Sequence, residues 1–417
     1  METLAQEIQL KEVTIYHTCC TSCMVGCWGE VLRGSSSGAE GATGGSAGHD
    51  VDMARLQAML EARGVPPHMF GSLESNMRNI IQRSMCSSAM NKVTSLIKGM
   101  QTKDDEGQQL SSVMEMCQIL VMGNEENLAG FPSKQVVPEL VALLHLEHNF
   151  DIMMYACRAL YYMLEALPRS SIVVVEATPA LLDKLKCIQC MDVAEQSLSA
   201  LDRLSKRHNK HLLQSGAISA CLMYIDFFSI DAQRYALAVA ANCCSSVTPE
   251  EFHYCKDSLP LLSSKLLTPD KRCVESVCTC FARLVDNLKG DEKLLKELAA
   301  HEMLANTLKL LEVVPSVISS SIFTMVIRMF AVMCANCPDL AVCLLRQDVS
   351  NTLVYLLCGE QGASAHIELV NRTPQELFEI VSLIGSALHW SVCCRRTAQE
   401  APFCSAARRG SHLAVEG

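Results

Sequence analysis

Aromatic residues are scarce in this sequence. Phe, Trp and Tyr supply 5% of its 417 residues, with two tryptophans, although hydrophobic residues reach 49%. A core so lean in large rings has to be filled by Leu, Val, Ile, Met, Ala and Cys, which suits stacked helices that approach one another closely. An excess of positive charge is missing too. Thirty-five Lys and Arg stand against 45 Asp and Glu, a formal net charge of -10. That balance argues against a protein that holds nucleic acid by general phosphate attraction, and leaves a local basic patch open.

A secretory leader is not evident, because METLAQEIQLKEVTIYH carries charges where an apolar segment would sit. The 23 cysteines are therefore read as small hydrophobes of a reducing compartment, and the expected location is the nucleus or cytoplasm. The most apolar long stretch, Ile318 to Cys337, is interrupted by three serines and Arg328, so no membrane span is expected. Neither GxGxxG nor GxxxxGK[ST] occurs, and nucleotide binding has no support.

Residues 1–51 read as a disordered low-complexity segment containing GSSSGAEGATGGSAG (34–48), and 52–91 as a short helical lead-in. From 92 to 388 the pattern is helix after helix with a period. YACRALYYML begins at 155, QSLSALDRLS at 196, YALAVAANCC at 235, SVCTCFARLV at 276 and MVIRMFAVMC at 325, giving steps of 41, 39, 41 and 49 residues. A shorter apolar helix precedes each block, as in VVPELVALL (136–144) and LPLLSSKLL (259–267). Two elements sharing a period of about 40 residues predict an all-α, armadillo/HEAT-like superhelical solenoid of about six to seven units. Residues 389–417 read as an irregular tail, and an apolar face around Leu353, Leu356 and Leu357 is expected to lie bare at that end.

Chemistry-bearing clusters are few. His17, Cys20, Cys23 and Cys27 form a thin zinc candidate whose H-x2-C-x2-C-x3-C spacing is too compact for two separated ligand pairs, so no metal is expected. Cys187/Cys190 and Cys334/Cys337 are CxxC in form but lack a strand-to-helix setting. His253 and Cys255 have no orienting carboxylate, and no catalytic residue or cofactor is assigned. What remains is the groove that the third helix of each armadillo unit lines. Registration of the blocks nominates Tyr162, Arg203, Arg207, Asn242, Arg283, Asp286 and Asn287 as groove candidates. Asn242 sits where an armadillo Asn bonds an extended peptide, while the other units lack Asn at that place.

Several runs carry a family resemblance: MLEARGVPPHMFGSL (59–73), QQLSSVMEMCQILVMGNEENLAGFP (108–132), the stretch 136–171, FFSIDAQRYALAVAANCC (227–244), CFARLVDN (280–287) and MCANCPDLAV (333–342). Over about 53–385 the chain resembles the armadillo-like region of HECT-type E3 ubiquitin ligases of the ubiquitin-fusion-degradation class. The resemblance implies a nuclear, substrate-recruiting arm acting in protein polyubiquitination. Its partners would be protein substrates, including ubiquitin or ubiquitin-fused proteins, with no direct nucleic acid and no membrane. The HECT cysteine that carries ubiquitin has no counterpart in this sequence, so the chain reads as a partial or truncated form. Residues 1–50 differ from the family's basic N-terminal arm, and the pattern departs again near Leu383-Ile384. The alternative is a free-standing armadillo adaptor that binds peptide or nuclear cargo without ligase activity.

Overall fold

The computed structural model describes residues 90–146, 148–312, 316–358 and 370–400. The low-complexity segment, most of the helical lead-in, the zinc candidates and the tail beyond 400 lie outside them. Among the described residues every regular element is a helix. In chain order these are α1 (90–100), α2 (Glu106–Val121), α3 (Ser133–Leu144), α4 (Phe150–Ala166), α5 (Thr178–Lys186), α6 (Met191–Gln214), α7 (Ala217–Leu222) and α8 (Ile230–Cys244). They continue with α9 (Leu259–Lys265), α10 (Lys271–Leu288), α11 (Glu292–Leu298), α12 (Met303–Glu312), α13 (Ser320–Asn336), α14 (Pro338–Arg346), α15 (Val349–Cys358) and α16 (Pro374–Glu400). Short helical turns fill several of the connections.

Four of the long helices, α2, α4, α8 and α10, start where a side chain caps them. Asp105 accepts from the Gln108 N–H, Asn149 from Ile152, Ser229 from Ala232 and Asp270 from Cys273. Each cap satisfies a backbone donor that the first turn leaves unpaired. Between α6 and α7 the chain reverses at Gly216, whose φ of 78° is left-handed and favours glycine.

Two ladders result. Each long helix packs on its neighbours, α2 on α4, α4 on α6, α6 on α8, α8 on α10, α10 on α13 and α13 on α16. Short helices pair alongside, α3 with α5, α5 with α7, α9 with α12 and α12 with α15. This is the all-α armadillo/HEAT-like solenoid. Small side chains let the long helices approach: Ala156, Cys157, Ala159, Ala194, Ser197, Ala236, Ala240, Cys244 and Cys280 are all fully buried. Leu160, Leu201, Phe281 and Phe330 fill the space between layers. The buried residues from Val93 to Ala387 form one cluster that every repeat contributes to.

The cysteines belong to that strip. Burial pushes the thiols of Cys117, Cys157, Cys278 and Cys334 up to about 12, so their nucleophilic thiolate is suppressed. Cys334 and Cys337 are both buried, and Cys187 is exposed. No single helix among the described residues is long and apolar enough to cross a membrane. Only α14 with most of α15 reaches that composition, as a pair bent by 71°, and Leu340, Leu344, Val349 and Leu356 of that pair are buried in the solenoid.

The C-terminal end differs from the sequence expectation in two ways. Leu353 and Leu356 are buried, not bare, because α15 is covered by α12 and α14. The most exposed apolar residues there are Phe378 and Val381 of α16, 65% and 61% exposed, with Val354 of α15 exposed to 48%. Nor does the helix end at 388: α16 runs to Glu400, because SALHWSVCCRRTAQE contains neither proline nor glycine.

Two outcomes follow from this packing. Leu160→Ala should lower stability by about 3 kcal/mol through the cavity it leaves, read as a lower urea midpoint. Iodoacetamide at neutral pH should label Cys187 in the native protein and label Cys157 and Cys278 only after denaturation, as peptide mass spectrometry reports.

Candidate binding face on the long helices

The long helices share a register. The recurring blocks at 155, 196, 235, 276 and 325 each begin five residues after the first residue of α4, α6, α8, α10 and α13. Tyr162, Arg203, Asn242 and Arg283 each stand twelve residues after that first residue, so they form one row across four neighbouring helices. Arg207 and Asn287 stand sixteen residues after it, on α6 and α10.

Most of this row points back at the preceding repeat. Arg203 donates from Nη2 to the Tyr161 hydroxyl at 3.2 Å and pairs through Nε with Glu165 at 2.8 Å. Asn242 donates to the Ser205 hydroxyl at 2.9 Å, and its side-chain oxygen accepts from Arg283 Nη1 at 3.3 Å. The same Arg283 nitrogen donates to the Ala241 carbonyl at 2.5 Å. Asn287 donates to the carbonyls of Cys244 and Ser245 at 3.1 and 3.2 Å, and Arg207 to that of Pro168 at 3.1 Å. Asp286 sits 3.9 Å from Arg328 of α13. Tyr162 is half-buried, edge-on to Tyr161 at 5.4 Å between centroids. Both ends of the Asn242 amide are thus engaged within the protein, and an incoming peptide backbone would have to displace a repeat-to-repeat bond to use it.

A second row locks each long helix to the cap of the next. Five residues along their sequences from the cap, Glu195, Arg234 and Glu275 occupy equivalent places on α6, α8 and α10. Glu195 accepts from the N–H and hydroxyl of Ser229, the α8 cap, at 2.7 and 2.9 Å. Arg234 grips Asp270, the α10 cap, with Nε at 3.2 and 3.1 Å from its two oxygens and Nη2 at 2.5 Å. Glu275 accepts from the N–H of Ser319, which precedes α13, at 2.8 Å. The chemistry is matched pair by pair, an acid to a serine cap and an arginine to an aspartate cap. The Arg234 fork, with the Cys273 N–H, holds the Asp270 carboxyl well below the usual carboxylate range. A third lock lies beyond the bend in α6, where His208 leaves helical geometry (φ -122°, ψ 32°). There Lys210 pairs with Glu251, and with Gln214 holds that carboxyl near a pKa of about 2.

Between α6, α8, α10 and α13 these side chains wall an open cleft of about 430 Å³. It is lined by Asn242 and Arg283 from the sequence reading and by Asp202, Arg234, Tyr235, Arg272, Glu275 and Thr279, which that reading missed. The missed residues had a signal, since they recur one turn apart on the same stripe as Asn242 and Arg283. A neighbouring cavity of about 280 Å³ is lined by Arg283, Asp286 and Arg328, with Gln375 and Glu379 of α16. Tyr162, Arg203, Arg207 and Asn287 line neither cavity. Among the described residues no cluster of His, Cys, Asp or Glu could hold a metal ion. His253 donates from Nδ1 to the Glu250 carbonyl and Cys255 is buried, so the two are not a nucleophile and base.

The Arg234–Asp270 lock is testable through pH. Its folded pKa is depressed, so the stabilisation is full above an unfolded aspartate pKa of about 3.9 and is lost as pH falls below it. Asp270→Ala should cost about 2–3 kcal/mol at pH 7 through the lost cap and the stranded guanidinium. Urea midpoints measured from pH 7 to pH 3 should show the gap between wild type and variant narrowing below pH 4.

Comparison with known proteins was consistent with this architecture. Residues 67–214 match the family profile described as E3 ubiquitin-protein ligase TRIP12-like, TPR repeats. The spacing of the long helices exceeds the TPR period of about 34 residues and fits the armadillo/HEAT period instead. Over 360 residues the chain is 55% identical to E3 ubiquitin-protein ligase TRIP12 of Danio rerio, covering 85% of this chain and 18% of that protein. It is 33% identical over 316 residues to E3 ubiquitin-protein ligase UPL3 of Arabidopsis thaliana, covering 73% and 17%. The crystal structure of an engineered protein superposes with a TM-score of 0.52 at 15% identity, over 73% of this chain and 82% of that one, a likeness of fold alone. The chain spans less than a fifth of the length of either ligase. Its helical repeats are homologous to a repeat region of TRIP12-type E3 ubiquitin-protein ligases.

Proposed function

We propose that this chain is the substrate-recruiting armadillo region of a HECT-type E3 ubiquitin ligase, acting in polyubiquitination and ubiquitin-fusion degradation in the nucleus. The observation that carries the reading is the coincidence of two facts. The chain is 55% identical to a ligase over 360 residues, and its long helices wall an open cleft lined by polar and charged side chains with Tyr235 and Ile322. A surface of this kind binds protein, and the buried Cys157 and Cys278, whose thiols burial holds protonated, are poor nucleophiles for ubiquitin transfer. In this reading the chain selects the substrate, and the thioester chemistry belongs to a HECT cysteine elsewhere in the ligase. The substrates are proteins, ubiquitin-fused ones among them.

The test is competition. In a reconstituted reaction with a complete TRIP12-type ligase, excess chain should suppress polyubiquitination of a ubiquitin-fused substrate. Ubiquitin thioester formation on the ligase itself should continue unchanged. Undiminished substrate modification would overturn the recruiting role, and a ubiquitin thioester on this chain would overturn its assignment as the non-transferring part.

A further inference from the structure

We infer that the cleft between α6, α8, α10 and α13 takes an extended acidic segment of a partner protein, held by the unmatched arginines of the long helices. The inference rests on the recruiting role proposed above and names the chemistry of what is recruited.

Seven of the ten arginines between residues 90 and 387 lie on long helices: Arg158, Arg203, Arg207, Arg234, Arg272, Arg283 and Arg328. In the cleft, both acids already have a cation beside them. Asp202 pairs with Lys206 at 3.0 Å, and Glu275 lies 4.0 Å from Lys271 while accepting from Ser319. Arg234 is neutralised by Asp270 and Asp231. Arg272 and Arg283 have no carboxylate partner among the described residues. Arg272 is exposed and makes no hydrogen bond there, while Arg283 uses only Nη1, on main-chain and amide oxygens. Its Nε and Nη2 are left for an incoming acceptor, and the same side chain lines both neighbouring cavities. Farther along the ladder, Arg158 donates to Gln196 over the Tyr155 ring and Arg207 to a carbonyl, again without a carboxylate. Of the six arginines between residues 90 and 387 without a carboxylate ion pair, four (Arg158, Arg207, Arg272 and Arg283) therefore lie on the long helices, in a chain of net charge -10.

A guanidinium fork matches a carboxylate in two-point geometry. The exposed Tyr235 ring and the Thr279 and Ser276 hydroxyls offer the rest of a peptide both apolar and polar contact. Nucleic acid fits less well. An unbroken row of phosphates would pass Asp202, Glu275 and Asp286 at close range, whereas a peptide can place its acids only where the arginines stand. Because the Asn242 amide is already engaged, recognition runs through side-chain charge more than through the peptide backbone.

The experiment is fluorescence anisotropy of the full chain with a labelled peptide of alternating Glu and Ser. The same peptide with Lys for Glu, and a labelled oligouridylate, serve as competitors of other chemistry. The acidic peptide should bind, weaken as salt rises, and lose about tenfold in affinity with Arg272→Glu. Arg272 makes no internal bond, so the variant keeps its fold, and unchanged circular dichroism checks this. Lys309→Glu, on α12 and off the face, should leave binding unaltered. Tighter binding of the Lys peptide or the oligouridylate, or equal binding by Arg272→Glu and wild type, would overturn the inference. If competition with the ligase succeeds while the acidic peptide fails, recruitment stands and uses another chemistry. If the peptide binds and competition fails, the cleft stands and the ligase reading falls.

Discussion

A single repeat of this chain has nothing to fold against except its neighbours. The bonds that hold one long helix to the next therefore span about one repeat: Glu195 to Ser229, Arg234 to Asp270, Asn242 to Ser205 and Arg283 to Ala241 are separated by 34 to 42 residues. The caps of α4, α8 and α10 are each held by the long helix before: Asn149 bonds Glu106, Ser229 bonds Glu195 and Asp270 bonds Arg234. Helix start and repeat stacking are thus one event, because the side chain that satisfies the first turn is itself fixed by an earlier turn. The buried alanines, serines and cysteines serve the same end by letting α4, α6, α8 and α10 approach closely enough for those locks to reach.

This constraint shapes the surface available for function. Side chains on the exposed stripe of the long helices are shared between holding the ladder and meeting a partner. Arg203, Asn242 and Asn287 are largely committed to the ladder. Arg272 is not, and Arg283 is committed through one nitrogen only. A cleft whose acids each have a cation beside them, and in which Arg272 and Arg283 have no carboxylate, carries a local field that the net charge of the whole chain does not report.

Much of the fold was legible in the sequence because its period is written twice. The blocks read at 155, 196, 235, 276 and 325 enter their helices at the same place, and the short helices read before them are α3, α5, α7, α9 and α12. The row Tyr162, Arg203, Asn242 and Arg283 emerged from the same registration. Its orientation did not, since whether Asn242 faces solvent or Ser205 depends on the separation of two helices, which no single-chain pattern encodes. Arg272 and Arg234 were passed over because, within one helix, they look like ordinary polar residues near its start. The course of α16 beyond 388 was missed for a different reason: the apolar stripe fades there while the helix-forming composition continues.

The central claim is that the long-helix face around α8 and α10 is where a substrate is held. Arginine modification by phenylglyoxal, mapped by mass spectrometry with and without a ubiquitin-fused substrate of the ligase, tests it most directly. The account predicts that substrate protects Arg272 while Arg169 and Arg346, exposed and off the long helices, react as before. Protection of Arg169 or Arg346 with Arg272 fully reactive would contradict it.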